Sequence, residues 1–142
     1  MFEIEVIAGA VGAVGGFTLG TLSWCAVIFP ALYPAADSQH CGEQDIFGGL
    51  YALTTGAAGA TAGVGIAGML LGTQGNLVTA FLGALVGEIV GSLAGVGVSQ
   101  FLLPSADPLL VTILSVSTAI LSTGLGAAIG YNLYNWLTSE AR

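Results

Sequence analysis

The sequence has almost no positive charge. Of 142 residues one is basic, Arg142, against eight acids, for a formal net charge of −7. A nucleic-acid binder needs Lys and Arg to displace counterions from phosphate, and a module that docks on anionic headgroups needs a basic cluster. Both classes are excluded. Charge of either sign is scarce as well, at 6% of residues against about 25% in soluble domains, which excludes a soluble globular fold. Histidine occurs once and cysteine twice, so neither a haem-binding His pair nor a paired Cys-x-x-Cys zinc site can be built. There is no Gly-x-Ser-x-Gly elbow, no phosphate loop ending Gly-Lys-Ser/Thr and no TVGYG-type filter. No nucleophile–base–acid set can be assembled. The expectation is a protein that is not an enzyme and needs no cofactor or metal.

What the chain has instead is apolar length and glycine. Hydrophobic residues make up 55% and glycine contributes 23 residues, against about ten at average usage. A helix crossing a hydrocarbon core of about 30 Å needs roughly 20 apolar residues. Four runs are long enough: 7–32, 46–71, 77–103 and 109–137. Only Glu88 interrupts them. Their length predicts tilt or frayed ends, and they lack the ten-residue alternation of a membrane β-barrel. The connections carry turn residues. The first, from Tyr33 to Asp45, is polar and acidic. The second is a tight hairpin, Gly72-Thr73-Gln74-Gly75-Asn76. The third, Pro104-Ser105-Ala106-Asp107-Pro108, stops one helix and opens the next, with Ser105 or Asp107 as the cap. Short links make neighbours antiparallel. The expected fold is an all-α membrane protein, one domain over 1–142, with four transmembrane helices in an up-down-up-down bundle. The acidic start, Met1-Phe2-Glu3-Ile4-Glu5, lacks the positive region of a secretory signal, so the first span is expected to be retained.

The glycines follow a four-residue register. The first helix carries Ala8, Gly12, Gly16 and Gly20, and the third carries Gly83, Gly87, Gly91, Gly95 and then Ser99. The second has one row at Gly48, Ala52, Gly56 and Ala60 and another at Gly59, Gly63 and Ala67. The fourth has Ser115, Ala119, Ser122, Gly126 and Gly130. In lipid, helices associate by close van der Waals contact, which small residues permit. Glycine-zipper (GxxxG) packing is therefore expected, through Gly12, Gly16, Gly20, Gly59, Gly63, Gly83, Gly87, Gly91, Gly95, Gly126 and Gly130. Four smooth faces exceed what one small bundle needs, which points to a homo-oligomer or to other membrane subunits as partners besides the bilayer. No fixed period long enough to mark a duplicated unit is apparent.

Glu88 is the one charge at membrane depth. Intramembrane carboxylates are costly when ionised and stand as functional candidates by default. Its helical face continues through Ala84, Ser92, Gly95 and Ser99, small and polar, so it should point at another helix. No Lys, Arg or His lies in any span. The carboxyl is expected to be protonated or to hold a cation or water, with hydroxyl partners from Thr54, Thr55 and Thr61 on the second helix and from Thr112, Ser115, Thr118, Ser122 and Thr123 on the fourth. The candidate intramembrane polar or ion site is Glu88, Ser92, Ser99, Ser115, Thr118 and Ser122. From Gly56 to Ser99, a Gly-rich helix, a polar hairpin and a helix with one mid-span carboxylate together resemble the rotor-ring proteolipids of rotary ATPases. The hairpin lacks the Arg-Gln-Pro of many of those subunits and two further helices flank the unit, so the resemblance implies proton chemistry at Glu88 rather than membership. In outline the chain is also similar to the four-span, GxxxG-bearing mitochondrial translocases, whose loops are rich in basic residues that this sequence lacks.

Asp37, His40, Cys41, Glu43 and Asp45 cluster in the first loop with donors suited to a metal, but their spacing matches no strong motif. Cys25 and Cys41 either bridge, in an oxidising compartment, or Cys25 is a small buried apolar residue. Trp24, Phe29, Tyr33, Phe47 and Tyr51 on one side, and Tyr131, Tyr134 and Trp136 on the other, mark the interfaces. With four spans both termini share a side, and Arg142 places it in the cytoplasm. Acid-rich, Lys-poor composition suits high salt, as in a halophilic microbe or its virus. Two functions follow from these residues. One is a structural or assembly subunit of a larger membrane complex or of a viral or organellar membrane. The alternative is a small cation or proton channel or transporter subunit using Glu88.

Overall fold

The structure, a computed structural model, describes residues 1–34, 41, 46–102 and 107–139. It is all-helical among them, with four helices long and apolar enough to cross a membrane. The first span comprises α1 (Phe2–Ser23), a π-helical turn (Trp24–Ile28) and α2 (Phe29–Leu32). The others are α3 (Ile46–Leu71), α4 (Leu77–Leu102) and α5 (Pro108–Ser139). The first helix starts at Phe2, not Ile7, and so takes Glu3 and Glu5 into the span.

Lipid enforces these helices, since a backbone polar group in hydrocarbon must be paired within its own segment. The π turn has a local cause. Pro30 has no N–H for the Ala26 carbonyl and its ring crowds that carbonyl. The turn is widened there, closed by Phe29 N–H onto Trp24 O. The α3–α4 hairpin is built from two caps. Gly72 takes φ +69°, which L side chains avoid. Its N–H bonds Met69 O and the Thr73 N–H bonds Gly68 O at 2.8 Å, the Schellman arrangement. Asn76 Oδ1 then accepts from Val78 and Thr79 N–H at 2.9 and 3.3 Å, capping α4. Of the two caps expected for the last helix, Asp107 caps α5 through Leu109 N–H at 2.8 Å, with Pro108 at the first helical position. Ser105 lies outside the described residues.

Two helix pairs, α1 with α3 and α4 with α5, make the most extensive contacts, and α1–α5 and α3–α4 join the pairs. The core is made of small residues. Ala13, Ala57, Ala60, Ala80, Ala84, Ala127 and Ala128 are buried with Val64 and Tyr131, while Leu70 and Phe101 are more than four-fifths exposed. That is the inverse of a soluble bundle, and it follows from a solvent as apolar as leucine.

All eleven glycines expected to pack helices stand against a facing helix. Along α1 and α3, an added Cβ on Gly12 would meet the Gly59 carbonyl, on Gly16 the Thr55 carbonyl and on Gly63 the Ala8 carbonyl, and Gly59 meets Gly12 in return. On Gly20 it would meet the Thr55 side chain. Along α4 and α5 the same holds for Gly83 with Gly126, Gly87 and Gly91 with Ser122, Gly95 with Ser115, and Gly130 with Thr79. These contacts are all within the chain.

Cys25 and Cys41 are bonded, with Cα atoms 5.6 Å apart and a sequence separation of 16. This settles the two open alternatives for Cys25 and ties the first connection to the π turn. A loop of about 15 residues so closed stabilises by about 3 kcal/mol. Cys25→Ser is expected to lower the unfolding free energy by about that amount, read by denaturation of the purified protein in detergent. An unchanged midpoint would show that the bridge adds nothing.

Candidate functional site

Glu88 sits mid-helix on α4, one residue after Gly87. Because Gly87 is pressed against α5 and successive residues turn by about 100°, Glu88 is rotated away from that contact into the space between the two helix pairs. It is 6% exposed. Its carboxylate lies over Gly56 of α3, where an added Cβ would be 3.4 Å from both oxygens. A Cβ there would stand in ordinary van der Waals contact with the carboxylate. A cavity of about 60 Å³ opens beside it, lined by Ala13 and Phe17 of α1, Gly56, Glu88, and Val116, Ile120 and Thr123 of α5. Glu88 Oε2 is buried and has no hydrogen-bond partner among the described residues. A buried polar atom without a partner forfeits about 1–3 kcal/mol, so it marks a place where something else belongs. A cavity of this size admits one or two waters or a small cation.

Of the hydroxyl residues expected around Glu88, Thr123 lines its cavity and the others are not among the lining residues. Thr54, Thr61, Thr112, Thr118 and Thr123 each return their hydroxyl to a carbonyl of their own helix, at 2.6–2.9 Å. Thr55 does the same, onto Tyr51 O and Ala52 O, beside Gly20. Ser115 and Ser122 lie on the α4–α5 seam against Gly95 and Gly91, and Ser115 Oγ is buried without a partner among the described residues. Ser92 is half-buried, and the side chain of Ser99 lies outside the described residues. The structure therefore separates Glu88 from the Ser/Thr stripe. The stripe has the periodicity of the α5 face that meets α4, and Glu88 belongs to the neighbouring face.

A second buried carboxyl was missed. Glu5, which lies before the first expected span at Ile7, is 1% exposed. Its Oε1 accepts from Thr73 Oγ1 at 2.9 Å and its Oε2 from Asn132 Nδ2. Tyr131 OH donates to Thr73 O at 3.2 Å, Asn76 N–H to Tyr131 O, and Asn135 Nδ2 to Gln74 O. The start of α1, the α3–α4 hairpin and the end of α5 are thus locked at one end of the bundle. Phe2 and Trp136 stack there, centroids 6.2 Å apart. The sequence signal was Asn132, an amide inside an otherwise apolar span.

At the other end Trp24 is buried at 6% exposure. It packs on Tyr51 with centroids 5.6 Å apart, and its Nε1, unpartnered among the described residues, lies over Gly48. Trp24, Phe29 and Tyr131, expected as interface anchors, are core residues. Phe47, Tyr33 and Trp136 are exposed. Of the candidate metal donors in the first loop only Cys41 is described; Asp37, His40, Glu43 and Asp45 lie outside the described residues. Among the described residues no group of three or more His, Cys, Asp or Glu could hold a metal.

Comparison with protein-family models, curated proteins and solved structures finds no match to this chain.

Proposed function

We propose that this is a multi-pass membrane protein, an up-down-up-down four-helix bundle packed through glycine zippers, that carries protons or small cations by way of Glu88. The observation that supports this most is the Glu88 carboxyl, buried at the junction of both helix pairs with one free oxygen beside a cavity. A purely structural carboxyl would be expected to have its acceptors filled, as Glu5 has. Binding sites at the interface of two structural halves are also the common arrangement in membrane transporters.

The orientation belongs to the same proposal. It is supported by the hydrogen bonds of Glu5 to Thr73 and Asn132 and the Phe2–Trp136 ring contact, and by the disulfide near the end of the first span. Disulfides persist in oxidising compartments. The disulfide end is assigned to that side, and the termini to the cytoplasm. The test is flux. In proteoliposomes, wild type is expected to carry protons or Na⁺ down a gradient, and Glu88→Gln to lower that flux at least tenfold, about 1.4 kcal/mol in barrier. Equal, negligible flux in both would overturn the proposal.

The assembly-subunit reading keeps one support. Two apolar grooves of about 520 and 630 Å³ run outside the α4–α5 and α1–α3 seams. A stable hetero-complex recovered from gently solubilised native membrane, with no flux on reconstitution, would favour it over transport.

A further inference from the structure

The close contacts of the two helix pairs match position by position. Gly12 on Gly59 corresponds to Gly83 on Gly126, Gly16 on Thr55 to Gly87 on Ser122, and Ala8 on Gly63 to Thr79 on Gly130, and in each case the nearest atom is the same backbone carbonyl oxygen. Gly20 against the Thr55 side chain corresponds to Gly91 against the Ser122 side chain, and Trp24 over Gly48 to Gly95 against Ser115. Every match uses one pair of offsets, 71 residues from α1 to α4 and 67 from α3 to α5. The residues themselves agree at these offsets. Gly12-Ala13, Gly16 and Gly20 recur as Gly83-Ala84, Gly87 and Gly91, and Gly59-Ala60 and Gly63 recur as Gly126-Ala127 and Gly130. Burial runs in step, residue by residue, over 54–60 and 121–127. The two outer grooves correspond too: Val11, Gly12, Ala62 and Ile66 in one stand where Leu82, Gly83, Ile129 and Leu133 stand in the other. Contacts between the pairs obey the same exchange, since α1–α5 becomes α4–α3.

We propose that the chain is two equivalent helical hairpins in tandem, related by a pseudo-two-fold axis along the bundle, and that Phe17 occupies in the first hairpin the interior position that Glu88 occupies in the second. At the same offsets Gly56 corresponds to Thr123. All four residues line the one cavity between the pairs, so the cavity sits on the axis and carries two matching half-sites. In one, a carboxyl faces glycine. In the other, a phenyl ring faces threonine, and the position is closed to a proton or cation. The two positions differ in burial: Glu88 is 6% exposed and Phe17 42%. A carboxyl is small enough to turn inward over Gly56, whereas the ring, opposite a side chain in place of a hydrogen, is held partly outside. A single titratable group at the centre is thus set by Phe17 and Thr123 as much as by Glu88. The identity of what Glu88 holds rests on the function proposed above; the equivalence of the two positions does not.

The test transplants the site within the full chain: Phe17→Glu with Thr123→Gly, combined with Glu88→Phe and Gly56→Thr. A lipid-soluble carbodiimide, which reacts with protonated carboxyl groups in apolar surroundings, is the probe, and mass spectrometry maps the adduct. Wild type is expected to be modified at Glu88, the Glu88→Phe/Gly56→Thr variant at neither position, and the fourfold variant at position 17. The rate at position 17 should be within tenfold of wild type, about 1.4 kcal/mol in barrier. A folded fourfold variant without adduct at position 17 overturns the equivalence. A second measurement does not depend on that variant folding. Spin labels at the lipid-facing pair Val11 and Leu133 and at its counterpart, Leu82 and Ile66, should report the same separation. A difference larger than one helix diameter, about 10 Å, overturns the two-fold relation. Absence of flux in proteoliposomes would refute the transport proposal and leave both of these results standing.

Discussion

Gly59→Val is expected to unfold the α1–α3 pair, lowering stability by more than about 3 kcal/mol, the upper end for overpacking. The reason is what lies opposite. A Cβ at 59 would fall on the Gly12 carbonyl and 2.9 Å from Gly16 Cα. These are backbone atoms of a helix, so no rotamer change relieves the clash, and the two helices must separate along several turns. Separation also removes the close contacts at Gly16 and Gly63, because all lie on one seam. Gly126→Val is expected to behave alike for α4 and α5, meeting the Gly83 carbonyl. The control is a glycine in the same kind of helix with nothing opposite. Gly15 and Gly97 have no atom within 4 Å of an added Cβ. Substituting either with valine should change stability by no more than about 0.5 kcal/mol. Thermal midpoints in one detergent, followed by far-ultraviolet circular dichroism, separate the two groups. If Gly59→Val and Gly15→Val melted together, the seam would not be holding the bundle.

The same contrast shows what a sequence of this kind makes legible. The spans were readable because hydrocarbon thickness dictates their length and because charge is costly inside, so Leu77 to Leu103 stood out as a run broken only by Glu88. The small-residue rows were readable because they repeat every four residues. Which row meets which helix was not. Gly59 and Gly63, not the row through Gly56, face α1, and a four-residue register is the same on either face until a partner is chosen. That choice decides the site: Gly56 is what Glu88 covers, whereas Ser115 and Ser122 are spent on the α4–α5 seam. The hairpin repeat escaped notice because its two helices have different offsets. Between matched positions the chain from α1 to α3 is four residues longer than that from α4 to α5, as from Gly12 to Gly59 against Gly83 to Gly126, so no single period aligns both. Glu5 was misread for a different reason. Position near the start of a chain suggests exposure, but a carboxyl is buried wherever donors converge on it, and Thr73 and Asn132 lie 68 and 127 residues away.

That convergence makes Glu5 the second position of large effect. Glu5→Ala is expected to cost about 4 kcal/mol: two lost bonds at roughly 1–3 kcal/mol each, plus the space left by the side chain. The Asn132 amide keeps its other bond, to Ala128 O at 2.9 Å, but Thr73 loses its anchor on α1, and with it the hairpin loses its tie to the first span. Glu5→Gln tests whether hydrogen bonding is responsible. A glutamine oxygen can still accept from Asn132, and its amide can donate to Thr73 Oγ1, because a hydroxyl rotates to accept. Glu5→Gln is therefore expected to recover most of the loss, staying within about 1 kcal/mol of wild type, one ordinary hydrogen bond. Thr73→Val should fall between the two, since it removes one donor and leaves the carboxyl bonded to Asn132. Unfolding midpoints for the three variants give the order, and protection of the Asn76 amide, bonded to Tyr131 O, reports the hairpin directly through hydrogen exchange. If Gln were as damaging as Ala, the carboxylate charge rather than its two acceptors would hold this end of the bundle. The contrast with Glu88 would then narrow, because it rests on one buried carboxyl being satisfied by neutral donors and the other being left with a free oxygen.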